Sequence, residues 1–297
     1  MAGTPLCHRG SGVVPEPQGA APLVARSPTG WVARLDLRFE VAKGRTVLAS
    51  KSQRGPLTVQ RPFYPEGGVC HLYLLHPPGG VVGGDSLNLD LGVGGGAHAL
   101  ITNPGAAKFY RTAGPEAFQE QRLRVAEGGL LEWFPQENIL FPGARLRSRT
   151  RVDLAGDGRF LGWEIHSLGR PVIGERFDRG MADLQLSLVR DGRPLLLERL
   201  RLGSAFDLDG PSVLRGFPVS GTLIATGAEA SDLDAARDLG DDPSPLLLGV
   251  TLLEDVLIAR CLGTGVEAVR RVFLRLWGIL RPRLVGCAVC PPRIWAT

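Results

Sequence analysis

The segment Trp31-Val32-Ala33-Arg34-Leu35-Asp36-Leu37-Arg38-Phe39 decides the fold class, because its apolar residues recur at every second position. Trp31, Ala33, Leu35, Leu37 and Phe39 fall on one side, and Val32, Arg34, Asp36 and Arg38 on the other. Side chains alternate across a pleated strand, so this is a strand with one buried face. The same rhythm returns at residues 57–60, 71–75, 86–91, 99–102, 123–125, 130–134, 151–154 and 160–166. Residues 184–189 and 195–202 flank Asp191-Gly192, the dipeptide of a tight two-residue hairpin turn.

Roughly a dozen strands in succession predict a mainly β chain. Two segments break the rhythm. Ser231 is a candidate N-cap, followed by acidic residues, and predicts a short helix to Leu239. Farther on, Val266, Val269, Phe273, Leu276, Trp277 and Leu280 form one apolar stripe, which predicts an amphipathic helix ended by Pro282. The expectation is therefore mainly β, with one or two helices near the C-terminal end.

Forty Gly and 23 Pro against 6% aromatics imply many turns and short strands. Residues 1–30 are rich in Gly, Pro and Ala and are expected to form a flexible tail. No linker interrupts the rest, so residues 31–297 are expected to form a single domain. The formal charge of +4 comes without any Lys/Arg block, and a nucleic-acid partner is not expected. Five Cys, odd in number and unevenly placed, argue against a disulfide framework. Residues 1–30 lack the pattern of a secretory signal. The most apolar stretch, residues 246–262, is broken by Glu254-Asp255 and too short to span a bilayer. A cytoplasmic location, with no membrane partner, follows as the expectation.

Several motifs are decoys. The run Gly79-Gly80-Val81-Val82-Gly83-Gly84-Asp85 is not a phosphate loop: no Lys-Ser/Thr follows, Asp85 would repel phosphate, and the next element is a strand. The glycines of residues 92–96 lie between two strands, so they read as a turn and not as a dinucleotide fingerprint. Cys287-Ala288-Val289-Cys290 is at best half a zinc site. No nucleophile elbow, metalloprotease motif or catalytic Cys–His signature is present, and the five His lack i, i+4 spacing.

The carboxylates carry more information. Glu164 and His166 share a strand face with Phe160 and Gly162; Glu198 is in phase with Leu196, Leu200 and Leu202; Asp85 is in phase with Leu87, Leu89 and Leu91. An unpaired charge on an apolar face is costly. Either each acid pairs with an Arg, such as Arg199 or Arg170, or the acids line a polar interior that holds a divalent cation weakly. A glycosidase acid pair on a β-helical carbohydrate-active enzyme is the alternative.

Beyond these local patterns, the chain resembles the UreD (UreH) family of urease accessory proteins from Trp31 to Thr297. The resemblance rests on residues 56–65 (PLTVQRPFYP), 71–85 (HLYLLHPPGGVVGGD), 102–111 (TNPGAAKFYR), 132–136 (EWFPQ), 168–177 (LGRPVIGERF) and 292–297 (PRIWAT). It implies a stacked, β-helix-like architecture and a non-enzymatic nickel-insertion chaperone. The implied partners are the urease apoprotein and UreF, with the GTPase UreG recruited through UreF. On this resemblance no nucleotide binds here, nickel is cargo in transit, and an internal tunnel carries it. The residues it marks as nickel-path contacts are Asp85, Glu164, Glu198 and Glu175.

Overall fold

The computed structural model describes residues 30–203, 208–239 and 246–296. The tail expected at residues 1–30 lies outside them, apart from Gly30. The strands in chain order are β1 (Val32–Ala42), β2 (Arg45–Arg54), β3 (Thr58–Val59), β4 (Cys70–Leu75), β5 (Ser86–Val93) and β6 (His98–Thr102). They continue with β7 (Ala107–Phe109), β8 (Ala117–Val125), β9 (Leu130–Phe134), β10 (Asn138–Leu140), β11 (Arg145–Leu154) and β12 (Arg159–Arg170). The last six are β13 (Glu175–Arg176), β14 (Met181–Arg190), β15 (Arg193–Leu202), β16 (Val219–Thr226), β17 (Leu246–Leu253) and β18 (Val256–Gly263). Two α-helices are described, α1 (Ala230–Arg237) and α2 (Val266–Leu284).

The strands build two facing sheets. The first runs β15-β14-β11-β8-β5-β1-β2 and the second β17-β18-β16-β12-β9-β6-β4-β3. From β4 onward the chain coils, giving one strand to each sheet per turn. Consequently β5, β8, β11 and β14 are parallel neighbours, as are β4, β6, β9 and β12. The architecture is mainly β and solenoid-like, as the sequence and the resemblance led one to expect. The β14–β15 hairpin turns at Asp191-Gly192, both with positive φ (49° and 79°), which suits the right-handed twist of the flanking strands.

Stacking places equivalent residues of successive coils above one another. Leu37, Leu91, Leu123, Val152, Leu188 and Leu196 form one continuous aliphatic ladder across six strands. All six are buried, and each contributes on the order of 1.5–3 kcal/mol of burial. The glycines of residues 92–96 belong to the corner of this solenoid. Their turn stacks on the next, with Gly96 N donating to Gly128 O, and Ala126 N donating to Val93 O. Gly96 and Gly128 share φ of +70°, a conformation that glycine adopts without penalty.

The outer face of the second sheet is covered by α2, which packs on β16, β12 and β18. Phe273, Leu276, Trp277 and Leu280 are fully buried there, so the apolar stripe is core. Two helix boundaries differ from expectation. Helix α1 is capped by Glu229, whose carboxylate forms a reciprocal capping box with Asp232, and not by Ser231. Helix α2 runs through Pro282 to Leu284. A proline in the last turn removes one backbone donor, and the side chain of Arg281 holds that turn in place.

Arg281 is fully buried, as is Glu132 on β9. The guanidinium donates to both Glu132 oxygens (2.9–3.1 Å) and to both Glu66 oxygens (2.7 and 2.9 Å). Trp277 Nε1 also donates to Glu132 (2.9 Å), and the imidazoles of His98 and His71 reach Glu132 and Glu66 at 2.7 and 2.6 Å. Burial lowers the pKa of His71, and the Glu66 carboxylate only partly restores it. For Glu132, burial alone would raise the pKa; hydrogen bonds from His98 and Arg281 outweigh it and hold the carboxyl below its ordinary range.

Removing one member of a buried ion pair strands the other charge. Arg281→Ala is expected to lower the unfolding free energy by about 3–5 kcal/mol in denaturant titration, whereas a substitution at exposed Arg34 should be nearly silent. The pH dependence has a defined sign. The pKa of His71 is lower in the folded chain, so below about pH 6.5, the ordinary histidine value, the unfolded chain takes up a proton more readily than the folded chain. Glu132 stabilises above the ordinary carboxylate pKa, and this is lost as pH falls through its depressed folded value. Thermal unfolding should show a falling midpoint below about pH 6.5, and His71→Gln should flatten the upper part of that fall.

Candidate functional site

Between the two sheets the aliphatic ladders are interrupted by a polar belt. On the first sheet, one row of the register runs Leu35, Leu89, Gln121, Thr150, Leu186, Glu198. Gln119 and Ser148 stand next to it, one above the other. On the facing sheet, Glu164, Thr222 and Arg260 lie side by side on β12, β16 and β18, with His166 and Ser220 as the next pair. The local reason is the period of two. Glu164 and His166 continue the inward face that begins with Phe160, while Leu161, Trp163 and Ile165 point outward to α2.

These polar groups meet across the gap. The Thr150 hydroxyl, shared between Gln121 and Glu164, links the two sheets. Glu164 lies 3.7 Å from His166 Nε2, and Asn138 on β10 reaches His166 Nδ1 at 3.4 Å. Thr222 donates to Glu198 Oε2 (3.2 Å), and Arg260 pairs with Glu198 Oε1 at 2.5 Å.

Two cavities open on the belt and share Glu164. The larger, about 680 Å³, lies between the edge strands β15 and β17; Glu198, His166, Thr222 and Arg260 line it. The smaller, about 340 Å³, reaches Gly79, Gly80 and Lys108 at its far end, with Gln119, Gln121 and Asn138 along its wall. Trp133 also lines this second cavity, and its buried indole N–H has no partner among the described residues.

The four acids singled out in the sequence divide into two kinds. Glu164 and Glu198 are brought together by the belt. Asp85 stands outside it: its carboxylate accepts the backbone N–H of Trp31 (2.8 Å) and of Val82 (2.9 Å), tying the start of β1 to the glycine-rich corner. Glu175 lies at the surface in a two-pronged pair with Arg170, whose hydrogen bonds lower the Glu175 pKa. The partner of Glu198 is Arg260; Arg199 is turned to Asp183 on the opposite face of its strand. Thr150, Gln121, Thr222 and Arg260 went unnoticed in the sequence. Gln121 and Thr150 adjoin segments already recognised as strands, whereas Thr222 and Arg260 lie on β16 and β18, which the sequence reading had not marked. Among the described residues, no group of three or more His, Cys, Asp or Glu is placed to hold a metal ion. Cys287 and Cys290 are free thiols.

Residues 32–296 match the UreD urease accessory protein family. The chain belongs to the UreD family. It is 47% identical to the urease accessory protein UreD of Alcanivorax borkumensis, over 90% of this chain and 93% of that one. The same identity holds for the UreD of Klebsiella aerogenes, over 90% of this chain and 97% of that one. With the UreD of Azoarcus sp. the identity is 48% over 90% of this chain and 95% of the other. UreD membership supports a role in urease maturation, and the accessory designation implies a non-catalytic part in it. No helix among the described residues is long and apolar enough to cross a membrane.

The Asp85 geometry yields a direct test. A buried carboxylate that accepts two backbone N–H groups stabilises a corner, and its loss strands both donors. Asp85→Ala should lower stability by about 1–3 kcal/mol in denaturant unfolding. Asp85→Asn, which keeps one acceptor, should lose less.

Proposed function

We propose that this protein is a non-enzymatic urease maturation chaperone that passes nickel through the polar belt between its sheets. The observation that carries the reading is the placement of Glu164. It is an intersheet carboxylate bordering both cavities, with Thr150 on one side and His166 on the other. A divalent ion of borderline softness is held by carboxylate and imidazole. A lining of isolated carboxylates, carboxamides and hydroxyls, with no preformed cluster among the described residues, suits brief occupancy.

In this reading the chain acts in the cytoplasm. It holds the urease apoprotein together with UreF, and through UreF the GTPase UreG, so nucleotide chemistry belongs to a partner. Glu164 and Glu198 are the nickel contacts. Asp85 braces the buried glycine-rich corner through backbone N–H groups, and Glu175 pairs with Arg170 at the surface, so neither contacts nickel in this reading. Among the described residues lining the larger cavity there is no Phe, Tyr or Trp to serve as a platform for a sugar ring.

The test is the metal content of urease matured in the presence of each variant. Glu164→Gln preserves shape and removes charge. It should cut nickel per urease active site several-fold while leaving assembly with the urease apoprotein intact. Full nickel loading with both Glu164→Gln and Glu198→Gln would rule the belt out as the route.

A further inference from the structure

The belt contains a cation of its own. Arg260 lies beside Thr222 on β18, and its guanidinium covers Glu198 from the solvent side of the larger cavity. The Arg260 side chain is 48% exposed and that of Glu198 21%, so the cation stands at the mouth and the acid behind it. Thr222 connects the two carboxylates: it is the register partner of Glu164 and donates to Glu198.

A carboxylate with no competing cation would hold a divalent ion for long, and a site that holds its ion for long is a poor conduit. Transit requires a site favourable enough to enter and weak enough to leave. A guanidinium stays protonated at every physiological pH, so it is a permanent competitor for the acid it covers. Two other arginines border this cavity: Arg199, which is held by Asp183, and Arg215, in the segment before β16; neither is paired with Glu198 among the described residues.

We infer that Arg260 is the resident counter-ion of the passage, displaced from Glu198 by a divalent cation entering between β15 and β17 and returning to expel it. Arg260 thus sets how long the belt holds its cargo, acting on nickel through Glu198 as a positioning residue. The inference rests on the passage reading above and adds the control of release to it.

The experiment uses the full-length chain with nickel chloride. It measures nickel retained per chain after desalting, alongside nickel delivered to the urease apoprotein, for Arg260→Gln, Arg260→Lys and Glu164→Gln. Arg260→Gln should retain several-fold more nickel and deliver less, while Arg260→Lys, which keeps the charge, should behave like the unaltered protein. If Arg260→Gln retains no more nickel while Glu164→Gln still lowers delivery, the role of Arg260 is overturned and the passage stands. Equal loss of delivery in Arg260→Gln and Arg260→Lys without added retention would also overturn it, since geometry and not charge would then be at stake. If no substitution moves either readout, the passage reading falls together with the inference.

Discussion

In-register stacking of successive coils is the constraint on which the molecule depends. Once β5, β8, β11 and β14 lie parallel in one sheet and β4, β6, β9 and β12 in the other, each inward position is shared by a column of residues. A polar group among aliphatics is desolvated, so it needs a polar partner within its column or across the gap. The column through Leu37, Leu91, Leu123, Val152 and Leu188 is consistently aliphatic. The row through Gln121 and Thr150 is mixed: Leu35, Leu89 and Leu186 share it with Gln121, Thr150 and Glu198, and its polar members face Glu164, Thr222 and Arg260. The glycine corner obeys the same rule, since only a residue tolerant of positive φ can recur where the turns stack.

The two sheets are treated unequally. The second is buried on both faces, by the first sheet within and by α2 without. Covering it requires that α2 stay docked through its last turn, where Arg281 engages Glu132 and Glu66. This buried network satisfies its charges at close range, which is the condition under which burying an ion pair is tolerated. It also orders the region around it: Trp277 donates to Glu132, and Trp295 packs on Trp277 and Phe134. The charged network and the belt have different chemistry. The first has its acids saturated by a fully buried guanidinium. The second leaves Glu164 with a hydroxyl and an imidazole at 3.7 Å, a looser arrangement open to exchange.

Much of this was legible in the chain. The period of two marked β1 and many later strands but not β2, β16, β17 or β18; Asp191-Gly192 marked the hairpin, and the apolar stripe marked α2. Acids in phase with aliphatics marked Glu164 and Glu198 as inward-facing. Asp85 met the same criterion, yet its carboxylate turned to backbone donors at Trp31, just before β1, and at Val82 in its own corner. Phase tells which side a residue faces; it does not say what waits there. The Arg281 network was invisible for a related reason, since Glu66, Glu132 and Arg281 are far apart in sequence and none interrupts its local pattern conspicuously.

The sequence by itself determined the strand content, the helix on its apolar stripe, the failure of the glycine runs as nucleotide loops, and the membership of the UreD family. These are local or chain-wide patterns, and local sterics and hydrophobic periodicity fix them. Only the tertiary structure decided which acids share a cavity, that Thr150 bridges the sheets, and that Arg260 and not Arg199 covers Glu198. Those outcomes depend on register between strands dozens of residues apart, where a shift by one position would turn every side chain to the opposite face.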